Sequence, residues 1–553
     1  MIALAMLLIG APVRDSAAIA AALRAAVASD TNGLMHRPVI SDVRDILTSA
    51  YQRSGWRPLW IVGQQSSPSA RRLLAELSAS GNRGLDPEQY DAMRLSAEAD
   101  SLPGRGTNDA VAFDVALAAA AARYALALNR GRVAPDLIHP MLEMPRESFD
   151  VGRFIERLSR ASDPAALLHG PEPAYLHYRL LTVALARYRR AREMVAGSTG
   201  NWPATIQPGD SSGAVPELRR LVNLAGDLGD RDAARAAAAD SARYDHALAA
   251  EVRRFQGRLK LRTDSVVEPG TRTLLLNALE ARVHQMELAL ERWRWLPRDL
   301  PPATLFVNIP AFRLYTLDGN GDRTTDSLAM DVVVGRAFDN DTPLLATHIT
   351  AIQTHPAWVV PRAIALKEIR EPGLRDTAYL ARHHYQLMHA DSEVPPTRAN
   401  VRRIGDAVHV RQTPGPWNAL GRMKFVTPNG ADIYLHDTPE QRFFRQLRRD
   451  FSHGCIRVSN PVALARFVLR DDSAWTAQRL TDVLADTVPQ VITLRRPAAV
   501  FILYQTVSVR ESGEVIFYPD LYGNDHLLDE ALSAGYPYPA PRRPSAAVHS
   551  RAP

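Results

Sequence analysis

Hydrophobic and polar residues follow two different periods along the 553-residue chain. From residue 15 to about 195, apolar residues recur at the spacing of helix faces, as in DAVAFDVALAAAAARYALALNRGRV at 109–133. From residue 303 onward, apolar and polar residues alternate with period two in TLFVNI, FRLYTL and LAMDVVVG, which predicts strands. The two patterns together predict an α+β fold, with a helical first half and a mainly β second half.

Breaks in these patterns predict the domain boundaries. A linker rich in Pro, Gly and Ser covers 197–216, and a compact unit with helical spacing follows it. Residues 362–400 lose the strand spacing, which predicts an insertion of helix and loop before strands resume at AVHVRQ. We predict six segments: 1–14 (a truncated signal segment), 15–196 (helical scaffold), 200–282 (small helical domain), 283–300 (scaffold helix or linker), 303–497 (mainly β domain, with its insertion at 362–400) and 498–553 (hairpin and tail).

The apolar run from Ile2 to Ile9 has two interpretations. It is too short to span a bilayer, which needs about 20 residues. It resembles the apolar core of a secretory signal, although the basic residues that usually precede such a core are missing. The alternative is a buried or frayed N-terminal helix. We expect no membrane-spanning segment elsewhere in the chain.

Composition narrows the class of protein. The chain is 46% hydrophobic and 23% charged, which is typical of a globular protein. Its formal charge of +6 is spread over the chain and not concentrated in a basic stripe, so we expect no nucleic-acid partner. A single cysteine excludes an intramolecular disulfide and a multi-cysteine metal site, and no HExxH motif is present. We therefore expect no metal and no cofactor.

The single cysteine, Cys455, lies in FSHGCIRVSNP at 451–461. A cysteine nucleophile needs an acid–base partner and an electropositive, partly exposed pocket. His436 ends the predicted strand ADIYLH, Gly454 allows a tight turn that aims backbone N–H groups at one point, and Arg457 adds positive charge. The alternatives are a small buried cysteine and a structural histidine, and both residue types commonly have those roles.

The surrounding residues resemble a known family. His436 is followed, after fifteen residues, by Ser-His-Gly-Cys, which is similar to the signature of the L,D-transpeptidases. The segments HPAWVVPRAIALKEI at 355–369 and RQTPGPWNALGRMKFVTPN at 411–429 resemble the large periplasmic members. The unit that ends in VRRFQ…DSVVEPGT looks like a three-helix peptidoglycan-binding domain. Ser265 and Glu268 stand there where the family usually has Gly, so its binding of glycan stays open.

The resemblance implies a mechanism for the mainly β domain, which would be the catalytic domain. Cys455 would attack the carbonyl between the third residue, a diamino acid, and the terminal D-Ala of a tetrapeptide stem. His436 would be the general acid and base, and the side-chain amine of a second stem would accept the acyl group to give a 3→3 cross-link. Other matching positions imply further roles: the Asp437 backbone orienting His436, the N–H groups of Gly454 and Cys455 as the oxyanion hole, and Ser452, His453, Arg457 and Tyr434 binding substrate.

The resemblance also implies partners and a location. The partners would be peptidoglycan tetrapeptide stems as donor and acceptor, together with other cell-wall synthases, and the location would be the periplasm or cell envelope. Three alternatives stay open: an L,D-carboxypeptidase in which water accepts the acyl group, a non-catalytic wall-binding scaffold, and a redox sensor. The 362–400 insertion is a candidate lid. A lid that excludes water from the acyl group would favour a transpeptidase over a carboxypeptidase.

Overall fold

The computed structural model describes residues 13–144, 148–197, 202–225, 241–259, 261–301, 304–320 and 323–535. The predicted signal segment therefore lies almost entirely outside the described residues, as does the last part of the predicted tail, 536–553.

The N-terminal part is a helical bundle built around one long apolar helix. Its elements are α1 (Val13–Ala28), α2 (Arg44–Arg53), β1 (Ile61–Val62), β2 (Gln65–Ser66), α3 (Pro68–Ser78), α4 (Ala92–Ser101), α5 (Thr107–Arg130), α6 (Pro135–Ile138), α7 (Val151–Ser159), α8 (Pro164–Leu168) and α9 (Leu176–Gly197). Helix α5 is buried over most of its length because its alanines let neighbouring helices approach from all sides. By length and composition α5 could cross a membrane, which the sequence analysis did not anticipate, but its burial is that of a core helix.

A buried carboxylate joins α5 to the loop that precedes β1. Asp114 is fully buried and accepts hydrogen bonds from three consecutive backbone N–H groups, those of residues 59, 60 and 61, at 3.0, 2.7 and 3.1 Å. The Tyr51 hydroxyl donates a fourth at 2.6 Å. Burial raises the pKa of Asp114 to about 6, while these hydrogen bonds act in the opposite direction.

A second helical unit follows the linker. It contains α10 (Val215–Ala225), α11 (His246–Arg258) and the first turns of α12 (Pro269–Trp293), packed around a small apolar core of their own. Ser265 adopts a left-handed backbone with φ of +63°, which explains why glycine suits this position. The strain is offset by local hydrogen bonds, since the Ser265 N–H donates to Gln256 Oε1 and its hydroxyl donates to the Ala249 carbonyl.

Helix α12 runs across the predicted boundary at residue 282. It continues without a break from the second helical unit to the start of the β domain. Leu275 packs in the small helical core, Met286 packs against α9, and Leu288 packs in the core of the β domain. A continuous helix is thus shared by three hydrophobic cores, and the helical spacing alone contained no stop signal that would have divided it.

The mainly β domain is a nine-stranded sheet that closes on itself. The strands are β3 (Thr304–Asn308), β4 (Arg313–Asn320), β5 (Arg323–Gly335), β6 (Leu345–Thr354), β11 (Met423–Val426), β12 (Leu435–His436), β13 (Asp450–Ser452), β14 (Ile456–Val458) and β15 (Gln490–Leu503). Their order in the sheet is β13-β5-β14-β12-β11-β6-β15-β3-β4, and β4 also pairs with β5. Helices α17 (Pro461–Val468) and α18 (Ala477–Ala485) follow β14. The Asn460 side chain caps the first turn of α17, in which Pro461 is the first residue.

The insertion is a separate small unit, which we call the cap. It contains β7 (Trp358–Val359), α13 (Arg362–Ile364), a π-helical turn (Ala365–Ile369), α14 (Arg370–Arg375), α15 (Ala378–Arg382), β8 (Tyr385–His389), β9 (Ser392–Val394), α16 (Arg398–Arg402) and β10 (His409–Gln412). Strand β10 pairs with β7 and β8 in a four-stranded sheet, not with the large sheet. The segment AVHVRQ does form a strand, as expected, but this strand lies in the cap, which therefore extends beyond residue 400. Alternation identifies a strand but not its partner.

The predicted C-terminal hairpin is also shorter than expected. Residues 498–503 belong to β15, a strand of the large sheet between β6 and β3. The hairpin consists only of β16 (Val507–Val509) and β17 (Val515–Phe517), and α19 (Asn524–Ser533) follows it. The long apolar β15 thus crosses the predicted boundary at 497. The mixture of a helical half and a mainly β half confirms the α+β class.

The helical bundle also contacts the core of the β domain. Residues Val133 and Leu142 pack into that core, and His139 between them lies edge-on to Trp295. Burial and the nearby Arg292 guanidinium lower the pKa of His139 to about 4. The imidazole is therefore neutral in the folded protein over a pH range in which the unfolded chain binds a proton.

We predict that Asp114→Ala lowers the free energy of unfolding by about 3 kcal/mol or more, because it leaves several buried N–H groups without an acceptor. Urea unfolding followed by circular dichroism measures this change. The control is Asp109→Ala, an exposed aspartate in the first turn of the same helix, for which we expect a loss below about 1 kcal/mol. Equal losses in the two variants would contradict the role assigned to Asp114.

We predict that His139 makes the protein less stable as the pH falls through the unfolded pKa of about 6.5 toward the folded value of about 4. Between pH 7 and pH 5 this group should cost about 2 kcal/mol of unfolding free energy. His139→Leu should lose less stability over that interval than the wild type, as measured by urea unfolding at both pH values. An unchanged pH dependence would show that His139 is not buried in its neutral form.

Candidate active site

Two short parallel strands bring the predicted site residues to one face of the sheet. Strand β12 pairs with β14 in the register Leu435 with Ile456 and His436 with Arg457. Leu435 and Ile456 point into the hydrophobic core. Side chains alternate along an extended chain, so His436 in β12 and Arg457 in β14 share the opposite face with Tyr434 and Cys455, which directly precede these strands. The Ile456 N–H donates to the Tyr434 carbonyl at 3.0 Å and fixes this register.

The imidazole of His436 is held by its own backbone neighbour. His436 Nδ1 lies 2.5 Å from the Asp437 carbonyl oxygen. Because a carbonyl can only accept, Nδ1 carries the proton in the neutral ring and Nε2 keeps its lone pair. Burial, the Arg457 guanidinium and Lys424 lower the pKa of His436 to about 3, although the bond to Asp437 opposes them.

The Asp437 carboxylate fixes the backbone that carries this carbonyl. It is buried and accepts hydrogen bonds from the Arg422 and Thr438 N–H groups at 2.8 and 2.7 Å. Gly421 lies against it, and a Cβ there would come within 2.4 Å of the carboxylate. The glycine of the NALG segment is therefore required for the close approach of Asp437.

The thiol of Cys455 is half-buried beside Tyr434. Its Sγ lies 3.6 Å from the Asp432 carbonyl oxygen and is hydrogen-bonded by the Tyr434 hydroxyl and backbone. Burial raises the pKa of Cys455, whereas the Tyr434 hydrogen bonds and Lys424 act to lower it. Within the described residues, Sγ has no hydrogen bond to His436. Transfer of the thiol proton to Nε2 thus requires the S–H bond to turn from the Asp432 carbonyl toward His436.

The turn before Cys455 differs from the prediction in what the Gly454 N–H and the Ser452 side chain contact. Gly454 has φ of +115°, so its backbone needs glycine. Its N–H, predicted to belong to an oxyanion hole, donates to Ser452 Oγ at 3.1 Å, and the Ser452 hydroxyl donates to the Cys455 carbonyl at 2.6 Å. Ser452 is therefore buried and stabilises the turn instead of facing substrate. The Cys455 N–H has no hydrogen-bond acceptor among the described residues and is the remaining candidate donor.

Arg457 is paired inside the protein. Its guanidinium lies 2.8 Å from the Glu440 carboxylate and 5.6 Å from the Phe443 ring centroid. Both residues belong to the connection between β12 and β14. The positive charge near His436 is thus partly balanced by Glu440, and Arg457 is not a free carboxylate receptor in this conformation.

Two contacts join the cap to the site. His453 Nε2 lies 2.7 Å from Glu368 Oε1 in the π-helical turn of the cap. The Trp358 indole in β7 donates to the Tyr434 hydroxyl, and Tyr434 in turn contacts Cys455. Tyr434 and His453, both predicted to bind substrate, therefore lie where the cap meets the turn that carries Cys455.

Three residues near the site were not predicted from the sequence: Trp358, Glu368 and Lys424. Trp358 and Glu368 come from the cap, and local sequence spacing does not reveal a contact made across 85 residues. Lys424 had a signal that was overlooked. The chain has 66 basic residues, of which only three are lysines, so a lysine inside the NALGRMKF segment is unusual for this protein.

Two segments of the chain are similar to known protein domains. Residues 302–485 match the L,D-transpeptidase catalytic domain, and residues 45–185 match a scaffold domain. A Haemophilus influenzae protein, whose own assignment as an L,D-transpeptidase is provisional, is 30% identical over 231 residues. The similarity covers 41% of this chain and 45% of the relative, so the chain spans less than half the length of that protein.

Among solved structures, a fused Zn-dependent amidase/peptidase/peptidoglycan-binding domain-containing protein from Clostridium acetobutylicum is 12% identical. The likeness covers 55% of this chain and 100% of that chain, with a TM-score of 0.15, which supports no comparison of the two folds. The family match at 302–485, in contrast, includes the strands that carry both His436 and Cys455. The domain that carries His436 and Cys455 is therefore similar to the L,D-transpeptidase catalytic domain.

Proposed function

We propose that the protein is a cysteine L,D-transpeptidase that forms 3→3 cross-links between peptidoglycan tetrapeptide stems. The observation that carries the proposal is the shared face of β12 and β14, which holds both a half-buried thiol and an imidazole whose Nδ1 is bound to a backbone carbonyl. This arrangement leaves Nε2 free to accept the thiol proton.

In the first step, Cys455 Sγ attacks the carbonyl carbon of the third stem residue. The thiol proton passes to His436 Nε2, and the negative charge that develops on the carbonyl oxygen is stabilised by the Cys455 N–H. The bond from that carbon to the D-Ala nitrogen then breaks, His436 returns the proton to the leaving amine, and a thioester remains on Cys455.

In the second step, the side-chain amine of another stem attacks the thioester. His436 accepts a proton from this amine, the carbon–sulfur bond breaks, and the proton returns to the sulfur. The product is an amide between two third-position residues, and the enzyme recovers its neutral thiol and neutral imidazole. A thioester suits this exchange because amines open it readily.

The cap favours an amine over water as the acceptor. Glu368 contacts His453 and Trp358 contacts Tyr434, so the cap lies against the turn that carries Cys455 at two points. Exclusion of bulk water from the thioester slows hydrolysis relative to aminolysis. The carboxypeptidase alternative would need water to reach the thioester beneath these contacts.

We extend the proposal to location and partners. The protein would act in the periplasm or cell envelope, where its substrate is found, and with other cell-wall synthases. The net charge of +6 supports work beside a polyanionic wall. The second helical unit, built from α10, α11 and the first turns of α12, is the candidate for holding the enzyme on peptidoglycan.

We predict that a purified disaccharide-tetrapeptide forms a transient covalent adduct with the wild type, and that Cys455→Ala forms none. His436→Asn should slow adduct formation by about 100-fold or more, because it removes the general base. Intact-protein mass spectrometry measures the adduct, and chromatography of the products detects the cross-linked dimer. His526→Asn changes an exposed histidine of the same domain and should leave both readouts unchanged. An adduct that yields only tripeptide would favour the carboxypeptidase, and no adduct on folded wild type would contradict the proposal.

We predict that weakening the contacts between cap and site increases hydrolysis relative to cross-linking. Glu368→Gln removes the charge that faces His453, and combining it with Trp358→Phe removes the hydrogen bond to Tyr434 as well. Because the pair of Glu368 and His453 is partly exposed, we expect a rise of only about two- to five-fold in the tripeptide-to-dimer ratio. Glu371→Gln is the matched control, since Glu371 is exposed on the next helix of the cap. If the ratio stays at the wild-type value in the double variant, the cap is not the barrier to water.

A further inference from the structure

Lys424 lies on the same face of the sheet as the proposed catalytic pair. In β11 it is directly opposite His436, and β11 is the neighbour of β12 on the side away from β14. Cys455 therefore lies two strands away, roughly 10 Å at the backbone, which is a distance that a lysine side chain largely spans. The ammonium lies 4.0 Å from the centroid of the Tyr434 ring, and Tyr434 donates its hydroxyl to Cys455.

The surroundings of Lys424 are unusual for a lysine. The side chain is half-buried, and burial lowers the pKa of its ammonium, whereas Cys455 and Asp432 raise it. In the part of the chain that the structure describes, no carboxylate lies within salt-bridge distance of Nζ. Arg457, the other cation on this face, has the Glu440 carboxylate at 2.8 Å. Lys424 is therefore the cation whose charge is least balanced by an acid.

We propose that Lys424 is a positioning residue for the reaction, whose ammonium supplies the positive charge that favours the thiolate of Cys455. This inference rests on the proposed function for its biological purpose, but not for its chemistry. No bond forms to Lys424. The thiol proton leaves to His436 Nε2 or to solvent, the ammonium keeps its three protons, and the negative sulfur that results lies close to a fixed positive charge.

The need for this charge follows from the histidine. His436 is a weak base, because burial and two nearby cations lower its pKa to about 3. A base of this strength cannot hold the proton as a stable thiolate–imidazolium pair. The cation that disfavours the imidazolium favours the thiolate, so Lys424 compensates on the sulfur for what it opposes on the ring.

Other ionisable groups near the thiol act together with Lys424. Asp432 acts against the thiolate, because its negative charge raises the pKa of Cys455. Tyr434 donates hydrogen bonds that favour the thiolate. The charged and titratable groups around Cys455, Tyr434 and His436 come from four parts of the chain. They are Lys424 on β11, Asp432 just before β12, Arg457 on β14 with its partner Glu440, and the pair of Glu368 and His453 between the cap and the turn.

The test is the pH dependence of alkylation of Cys455 by iodoacetamide, a neutral reagent that reacts with thiolate. Since Cys455 is the single cysteine, the mass of the protein reports this one reaction. Lys424→Met keeps the apolar stem and removes the charge, Lys424→Arg keeps the charge, and Lys367→Met removes the charge of an exposed lysine on the cap. Lys424→Gln serves as a second neutral variant if the methionine variant does not fold.

We expect the midpoint of the alkylation profile to rise by about one pH unit in Lys424→Met and to stay near the wild-type value in Lys424→Arg and Lys367→Met. Below the midpoint this shift corresponds to about ten-fold slower alkylation at a given pH. An unchanged midpoint in the folded neutral variants would overturn the inference. If the midpoint is unchanged and acylation by tetrapeptide is slower, the inference is also overturned, and Lys424 would instead bind a substrate carboxylate.

The outcomes separate this inference from the proposed function. Alkylation needs no peptidoglycan, so a shifted midpoint supports the role of Lys424 even in a protein that turns over no tetrapeptide. In that case the proposed function fails and the inference holds. Normal cross-linking by wild type with no shift in the variants gives the reverse result.

Discussion

The parallel pairing of β12 with β14 is the constraint on which the candidate site depends. Two backbone pairs place His436 and Cys455 on one face, although nineteen residues separate them in the sequence. Parallel neighbours need a long connection, and here that connection supplies Glu440 and Phe443, which hold Arg457. A shift of the register by one residue would turn the imidazole away from the thiol and into the core.

The closed sheet also determines the electrostatics of the site. A thiol, an imidazole, a lysine and an arginine share one partly buried face, so water screens their charges less than it would on an open surface. Neutral forms of the thiol and the ring are favoured at rest by burial. The face therefore combines two uncharged reactive groups with fixed cations, and charge develops only when a proton moves.

Local sequence was sufficient for part of this structure. The helical spacing of the first half and the strand spacing of the second half each depend on neighbouring residues, and each identified its elements. Partners across the fold were not predictable in the same way. Three features depend on which segments meet in space: the pairing of β10 inside the cap, the position of β15 inside the large sheet, and the contact of Glu440 with Arg457. A period of two or 3.6 residues contains no such information.

Helix α12 has a mechanical consequence. Its 25 residues extend about 37 Å without a hinge, and its two ends are embedded in different hydrophobic cores. The second helical unit therefore cannot swing freely with respect to the closed sheet. Under the proposed function, with that unit resting on a glycan strand, the helix would be a spacer of fixed length between the point of attachment and the stem that reaches Cys455.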